Sequence, residues 1–260
     1  MLKIVELNKS YGSKKILHSI NLAFKEGEMT AIIGESGSGK TTLAKTIIGL
    51  EHLDEGKILY KEIPLMPLRK RNFDTCADIQ YIFQDPYSSL ESERSLRDEL
   101  EEPIKICKRH NREFMSIDIA LGLVDPRLHS LLNKRVSTLS GGQRQKAAIA
   151  RALIPNPKII IADECTSMLD EESSRDIFKS FNNIRLKGST TLITIVHNIE
   201  LHGGYWDRII VMKNGKIVDD ESYKDFYINA KSQYSKELIE SYRYIRGANN
   251  EETLHHRFIS

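Results

Sequence analysis

The stretch Gly34-Glu35-Ser36-Gly37-Ser38-Gly39-Lys40-Thr41-Thr42 has the spacing of a phosphate cradle: glycine, four residues, glycine, lysine, then a hydroxyl residue. Glycines at 34, 37 and 39 let backbone amides turn inward around phosphate oxygens, and a helix starting here points its positive end at the same place. Lys40 is then placed for the β and γ phosphates of a nucleotide, and Thr41 for Mg²⁺. A glycine-rich turn with an accidental lysine is the competing reading, but it leaves the full match between strand and helix unexplained. A cradle also needs a carboxylate for its metal. Asp163 closes the apolar run Lys158-Ile159-Ile160-Ile161-Ala162 and can hold Mg²⁺, often through water, while the adjacent Glu164 can polarise the attacking water. An ordinary loop start would also give an Asp-Glu pair, but not one matched to a cradle upstream.

These residues need a sheet edge and helix ends to hold them. Thr30 to Ile33 is a short apolar run suited to a buried strand before the cradle, and Leu43 to Leu50 reads as the helix after it. Leu2 to Leu7 alternates as a half-buried strand, Ile16 to Phe24 is a second, Ser10-Tyr11-Gly12 is a turn between them, and Gly56 to Tyr60 starts another strand. From about Arg69 to Val136 the pattern becomes helical, with stretches at Ser95 to Cys107 and Glu113 to Leu123, interrupted at Pro103 and stopped before Pro126. Its basic run Lys108-Arg109-His110-Asn111-Arg112 reads as a solvated loop rather than a binding patch. Ser140 caps a helix from Gly141 to about Leu153. Lys158 to Ala162 and Thr190 to Val196 are buried strands separated by a helix from about Glu171 to Leu186, and Arg208 to Val218 forms a hairpin around Asn214-Gly215. Strands alternating with helices around the cradle predict an α/β fold: a P-loop NTPase core with a parallel sheet, an N-terminal antiparallel β subdomain and a helical insertion. The chain is expected to form a single domain, 1–260, with residues 1–68 for the β subdomain and the phosphate-loop start of the core, 69–139 for the loop at Gln84 and the helical subdomain, 140–220 for the rest of the core, and 221–260 for a C-terminal helical extension and tail.

The 260 residues carry 38 Lys and Arg against 36 Asp and Glu, a balance with no electrostatic footprint for nucleic acid. The three cysteines, Cys76, Cys107 and Cys165, form no C-x-x-C pair, which argues against a zinc site or disulfide framework and fits a reducing, cytosolic setting. No apolar run approaches the roughly 20 residues that span a bilayer. The charged start Met1-Leu2-Lys3-Ile4-Val5-Glu6 does not read as a signal peptide, so a membrane role is expected through a partner.

The most discriminating string is Leu139-Ser140-Gly141-Gly142-Gln143, because a serine-capped helix accounts for Ser140 but not for all five residues. Here the sequence resembles the ATP-binding cassette (ABC) family, whose signature is Leu-Ser-Gly-Gly-Gln. The resemblance covers nearly the whole chain. It implies that Gln84, in Tyr81-Ile82-Phe83-Gln84-Asp85-Pro86, touches Mg²⁺ and water and couples the core to the helical insertion. Ser167-Met168-Leu169-Asp170 resembles the loop that crosses the dimer interface, His197 the switch histidine at the γ phosphate, and Tyr11 the aromatic that stacks on adenine. Gly34 to Thr42, Phe83 to Leu90, Glu102-Pro103-Ile104, Gly122-Leu123 and Gln233 to Ile239, the last as a C-terminal helix, resemble the peptide and nickel importer subgroup. Four positions depart from the family pattern: Cys165 for proline, Met168 for alanine, Asn198 for aspartate and Lys146 for arginine. Cys165, beside Glu164, is expected to make activity sensitive to thiol reagents.

The resemblance implies an ATPase, with ATP and Mg²⁺, acting in a head-to-tail dimer with a second identical or homologous ABC ATPase subunit. Ser140, Gly141, Gly142 and Gln143 of one subunit close over nucleotide held by Gly34 to Thr42 of the other, and Glu164 and His197 position the water. It further implies transmembrane permease subunits, a solute-binding protein reached indirectly, no nucleic acid, and a peripheral place on the cytoplasmic face of the membrane. The alternative is a soluble ABC ATPase acting on nucleic acid or ribosomes, which typically carries a coiled-coil insertion, zinc modules or tandem cassettes that this sequence lacks. A P-loop kinase or GTPase gives no reason for Leu139 to Gln143.

Overall fold

In the computed structural model, residues 2–188, 190–197, 199 and 204–242 are described. Two sheets form among them. Strands β1 (Leu2–Tyr11), β2 (Lys14–Phe24), β4 (Glu55–Tyr60) and β5 (Ile63–Pro64) make an antiparallel sheet in the order β2-β1-β4-β5. The second sheet has the order β10-β9-β3-β8-β7-β6, from β3 (Met29–Ile33), β6 (Ile79–Ile82), β7 (Ile159–Asp163), β8 (Thr191–Ile195), β9 (Arg208–Lys213) and β10 (Lys216–Ser222). Its neighbours run parallel except β10, which returns beside β9 as the expected hairpin.

Alternation along these strands explains their continuous apolar runs. Ile160 and Ala162 of β7 face one core with Ala31, Ile33 and Leu192, whereas Ile159 and Ile161 face the other with Ile32, Ile193 and Ile195. A sheet covered on both faces has no polar side to show. The antiparallel sheet and helix α1 (Lys40–Ile48) cover one face. The other is covered by α3 (Leu96–Arg109), α4 (Ile117–Val124), α5 (Gly141–Leu153) and α6 (Glu171–Gly188).

Several boundaries differ from the sequence reading. The first turn is Gly12-Ser13, because Tyr11 still pairs with Lys14. The predicted helical insertion starts too early: α2 (Phe73–Asp78) leads directly into β6, which pairs with β7 and extends the core sheet. The short string Ile79 to Ile82, next to Gln84, is too brief to separate strand from helix by periodicity. Helix α3 runs through Pro103, held at its start by a capping box between Ser95 and Asp98. Residues 113–115 lie outside a helix, since Ser116 caps α4 at Ile117. Arg112 is no solvated loop residue: its guanidinium reaches Asp78 at 2.7 Å and the Pro155 carbonyl at 3.0 Å, while Lys108 to Asn111 stay exposed.

Lys146 fixes α5 to its neighbours. Its ammonium lies 3.0 Å from Asp125, at the end of α4, and 3.1 Å from Asp176 on α6, with Lys146 and Asp125 both buried. Hydrogen bonds from Arg127, partly offset by burial, and then from Lys146 hold the Asp125 carboxyl well below the usual carboxylate range. Lys146→Met strands these carboxylates and should lower the unfolding free energy in urea by about 3 kcal/mol, the low end for a broken buried pair because Arg127 still holds Asp125. The depressed Asp125 gives the sign of its pH dependence. Its contribution is complete above the unfolded carboxylate value and is lost as pH falls toward the folded one, so parent and Asp125→Asn should converge in strong acid.

Candidate active site

Parallel register brings the chemistry to one edge. Ile32 of β3 and Asp163 of β7 both lie beside Ile195 of β8, and Ala162 of β7 lies beside Ile82 of β6. The chain therefore leaves four adjacent strands at one level, with Gly34 and Glu164 immediately after β3 and β7, and His197 and Gln84 two residues after β8 and β6. Open α/β sheets bind ligands at this carboxyl edge.

The loop from Gly34 is shaped by its glycines. Gly34 has φ +145°, and a Cβ there would collide with the Met212 carbonyl of β9. Gly39 is the left-handed N-cap of α1 and offers no side-chain cap. Among the described residues the amides of Ser36, Gly37, Gly39, Lys40, Thr41 and Thr42 have no acceptor, and the buried Ser38 hydroxyl has no partner. An uncapped helix start with this many orphan donors suits the oxygens of a polyphosphate. Lys40 is buried with its ammonium on the carbonyls of Gly34 (2.8 Å) and Glu35 (2.9 Å). Burial lowers its pKa, against Glu164, Asp163 and Glu35, which favour the charged form.

Beside Lys40 the structure joins Thr41 and Asp163, whose hydroxyl and carboxylate meet at 3.1 Å. Tyr81 of β6 donates to the other Asp163 oxygen at 2.6 Å. Burial raises the Asp163 carboxyl; the two hydrogen bonds oppose that rise and Glu164 adds to it. Glu164 itself is in the left-handed region, φ +47°, a costly conformation for a residue with a side chain. Its two oxygens are engaged separately: Gln84 donates to one at 3.1 Å, and His197 Nε2 stands 3.0 Å from the other. The Gln84 amide nitrogen also reaches the Ser167 hydroxyl at 3.2 Å, so its hydrogen bonds run to Glu164 and Ser167 rather than to the Thr41–Asp163 pair.

Three expected groups stand apart. Tyr11 ends β1 and is 45 % exposed, with the Lys9 ammonium 4.9 Å from its ring centroid and its hydroxyl toward Glu51 and Thr42. Ser140 and Gln143 close a capping box on α5, leaving the Gly141 and Gly142 amides without acceptors among the described residues. No described hydrogen bond joins Ser140, Gly141, Gly142 or Gln143 to Gly34–Thr42. Asp170 caps α6 by accepting from the Ser173 amide and hydroxyl, both at 2.8 Å. Asn198 lies outside the described residues.

Sequence reasoning passed over Tyr81 and Tyr234 as site residues. Tyr81 was visible only as a tyrosine in the string before Gln84, and Tyr234, whose hydroxyl accepts the Glu35 amide at 2.8 Å, lies almost two hundred residues away. Neither has a local signal.

The ABC transporter family matches residues 17–167 of the chain. The oligopeptide transport ATP-binding protein OppF of Lactococcus lactis subsp. lactis (strain IL1403) is 34% identical over 231 residues, 85% of this chain and 70% of that protein. The nickel import ATP-binding protein NikE of Shigella dysenteriae serotype 1 is 33% identical over 213 residues, 81% and 79% of the two chains. The methionine import ATP-binding protein MetN of Clostridium acetobutylicum is 31% identical over 243 residues, 93% and 75%. Among solved structures, cbiO1 of Clostridium perfringens, part of the ABC transporter complex cbiONQ, superposes with a TM-score of 0.75 at 31% identity, covering 88% of this chain and 90% of that one. A dimeric post-hydrolysis state of the cassette MJ0796, bound to ADP and Pi, gives 0.71 at 29% identity, covering 86% and 99%.

The expected sensitivity to thiol reagents at Cys165 is corrected by burial. The residue is 4% exposed and its thiol is pushed up to about 12 by desolvation. The nucleophile is the thiolate, so a buried thiol of this kind is inert. N-ethylmaleimide followed by peptide mapping should leave Cys165 unmodified in the folded chain and label it once the chain is unfolded in guanidinium; labelling in the native state would contradict this placement.

Proposed function

The chain belongs to the ABC transporter family and its domain is an ATPase; we propose that it energises an importer for peptides, or for nickel and other metal chelates, through partner transmembrane subunits. The observation that carries the ATPase mechanism is the Glu164 carboxylate, held between Gln84 and His197 at the edge where the phosphate loop begins. The names of OppF and NikE support the cargo class, as does the helix over 233–242 at the place expected for that subgroup.

In this reading the amides of Gly37 and Gly39 to Thr42 receive the phosphates, with Glu35, Ser36 and Ser38 completing the loop, and Tyr11 stacks on the adenine. Lys40 exchanges the carbonyls of Gly34 and Glu35 for β and γ phosphate oxygens. Glu164 polarises the attacking water and His197 contacts the γ phosphate, so a preset electrostatic frame meets the charge that spreads over the transferred group. Thr41 and Asp163 supply a hydroxyl and a carboxylate oxygen, hard donors that fit Mg²⁺, and Gln84, proposed as a further contact to the ion, follows β6, the strand beside β7. Among the described residues no His, Cys, Asp or Glu cluster could hold a metal alone, which fits an ion shared with phosphates. Bound there, Mg²⁺ supplies charge neutralisation on the phosphoryl oxygens.

The free Gly141 and Gly142 amides, remote in hydrogen bonding from the loop of the same chain, support contact with nucleotide on a second subunit, and Asp170 lies on the loop proposed to cross that interface. A cleft of about 300 Å³ lined by Gln80, Tyr81, Phe83, Pro103, Ile106 and Arg151 lies between β6, α3 and α5 and is the proposed seat of a permease subunit. No described helix is long and apolar enough to cross a membrane, which accords with a peripheral place on the cytoplasmic face.

Glu164→Gln should cut ATP turnover at least about 100-fold, the usual worth of a positioned base, while ATP binding persists; parent-like turnover would remove that role from the carboxylate. Gly141→Asp should abolish hydrolysis and leave nucleotide binding to the isolated subunit intact, so lost binding would count against action in trans. Affinity purification should recover membrane proteins, and disruption of the gene should lower peptide or nickel uptake; recovery of ribosomes or nucleic acid instead would favour the soluble alternative.

A further inference from the structure

A single helical segment touches both loops that flank the proposed nucleotide. Among the described residues, 233–242 are helical, and Tyr234 and Tyr242, near the two limits of that stretch, are buried. The Tyr234 hydroxyl accepts the Glu35 amide at 2.8 Å, and the Tyr242 hydroxyl donates to the His197 carbonyl at 2.9 Å. Eight residues of helix cover about 12 Å and a little over two turns, so both side chains can leave one side of the segment. The segment is tied to the sheet in turn. Asp219 of β10 accepts the amides of Lys231 and Ser232 at 3.1 and 3.0 Å, and the Lys213 ammonium lies 4.3 Å from the Tyr234 ring centroid.

The Glu35 peptide is held from two sides. Its carbonyl accepts Lys40 at 2.9 Å and the Ser38 amide at 3.2 Å, and its N–H is held by Tyr234. When Lys40 leaves for phosphate, the loop loses that cationic tie, and the Tyr234 bond continues to fix the peptide. Tyr242 acts elsewhere. It holds the backbone of His197, whose ring stands 3.0 Å from Glu164.

We propose that Tyr234 and Tyr242 are positioning residues for ATP hydrolysis, one setting the phosphate loop and the other the switch histidine, so that a C-terminal helix controls both. The inference rests on the ATPase mechanism above. It assigns the two hydroxyls different kinetic signatures: Tyr234 supports nucleotide binding, and Tyr242 supports turnover.

The test uses the full-length chain with MgATP and the variants Tyr234→Phe and Tyr242→Phe, which keep the rings and remove only the hydroxyls. Tyr234→Phe should raise KM about fivefold with kcat within about twofold, and Tyr242→Phe should lower kcat about fivefold with KM within about twofold, the worth of one hydrogen bond. Melting temperatures should stay close to the parent's. Unaltered kinetics in both variants overturn the proposal, and so do parallel losses of kcat and KM that follow a lowered melting temperature, which mark a structural role. A parent chain that neither binds a fluorescent ATP analogue nor hydrolyses MgATP overturns the ATPase mechanism and this proposal together; an active parent with unaltered variants overturns the proposal alone.

Discussion

Ile32, Ile195 and Asp163 lie side by side in three parallel strands, and Ile82 pairs one residue short of Asp163, so the positions of Gly34, His197, Glu164 and Gln84 follow from register. A one-residue slip of β7 would turn its Ile159–Ile161 face and its Ile160–Ala162 face into each other's core and carry Asp163 away from Thr41. Packing on both faces of the sheet thus sets the geometry of groups that themselves contribute little to packing. The left-handed backbone at Glu164 is tolerable because the strand before it and the Gln84 and His197 contacts after it leave the residue little alternative.

The same constraint explains how polar groups are distributed around the core. Two buried sets of charged side chains near the helical layer are paired: Lys146 with Asp125 and Asp176, and Glu99, at 1% exposure, between Arg94 and Arg151. Burial raises the Glu99 carboxyl despite the two arginines, and Arg151 of α5 links that helix to Glu99 and Glu102 of α3. These ties bind the signature helix to the rest of its layer, so the Gly141 and Gly142 amides are presented on a rigid element. Donors carried on a packed helix are held more precisely than donors carried on an unsupported loop.

Much of this was legible in the sequence because the signals were local. The cradle at Gly34 to Thr42, the Ser140 cap, the apolar run before Asp163 and the hairpin at Asn214-Gly215 each encode their structure within a few residues, and the structure has them where they were expected. The strand β6 was not legible, since four residues that pair only with a distant strand carry no period of their own. Arg112 was read as part of a solvated run because its partners, Asp78 and the Pro155 carbonyl, come from elsewhere in the chain. Tyr81, Tyr234 and Tyr242 share that cause: each matters through one hydroxyl placed by tertiary structure. Cys165 is the reverse case, where sequence adjacency to Glu164 suggested reactivity and burial removed it.

The two glycine-bearing helix starts divide the anion-binding work unequally, and capping decides how. At α1 the N-cap is Gly39, with no side chain to satisfy the first turn, so the first-turn amides and those of Ser36, Gly37 and Gly39 in the loop before it remain for a ligand. At α5 the Ser140 hydroxyl and the Gln143 amide oxygen satisfy two amides within the chain, and only Gly141 and Gly142 are left. A site with many orphan donors and a buried lysine can bind polyphosphate by itself; one with two amides and a neutral cap cannot compete with water for it. The second site becomes useful once nucleotide is already fixed opposite it, because the ligand then arrives oriented. On the proposed mechanism the phosphate loop suffices for binding but not for closure, and the need for a second subunit in catalysis would follow from how each helix treats its own first turn.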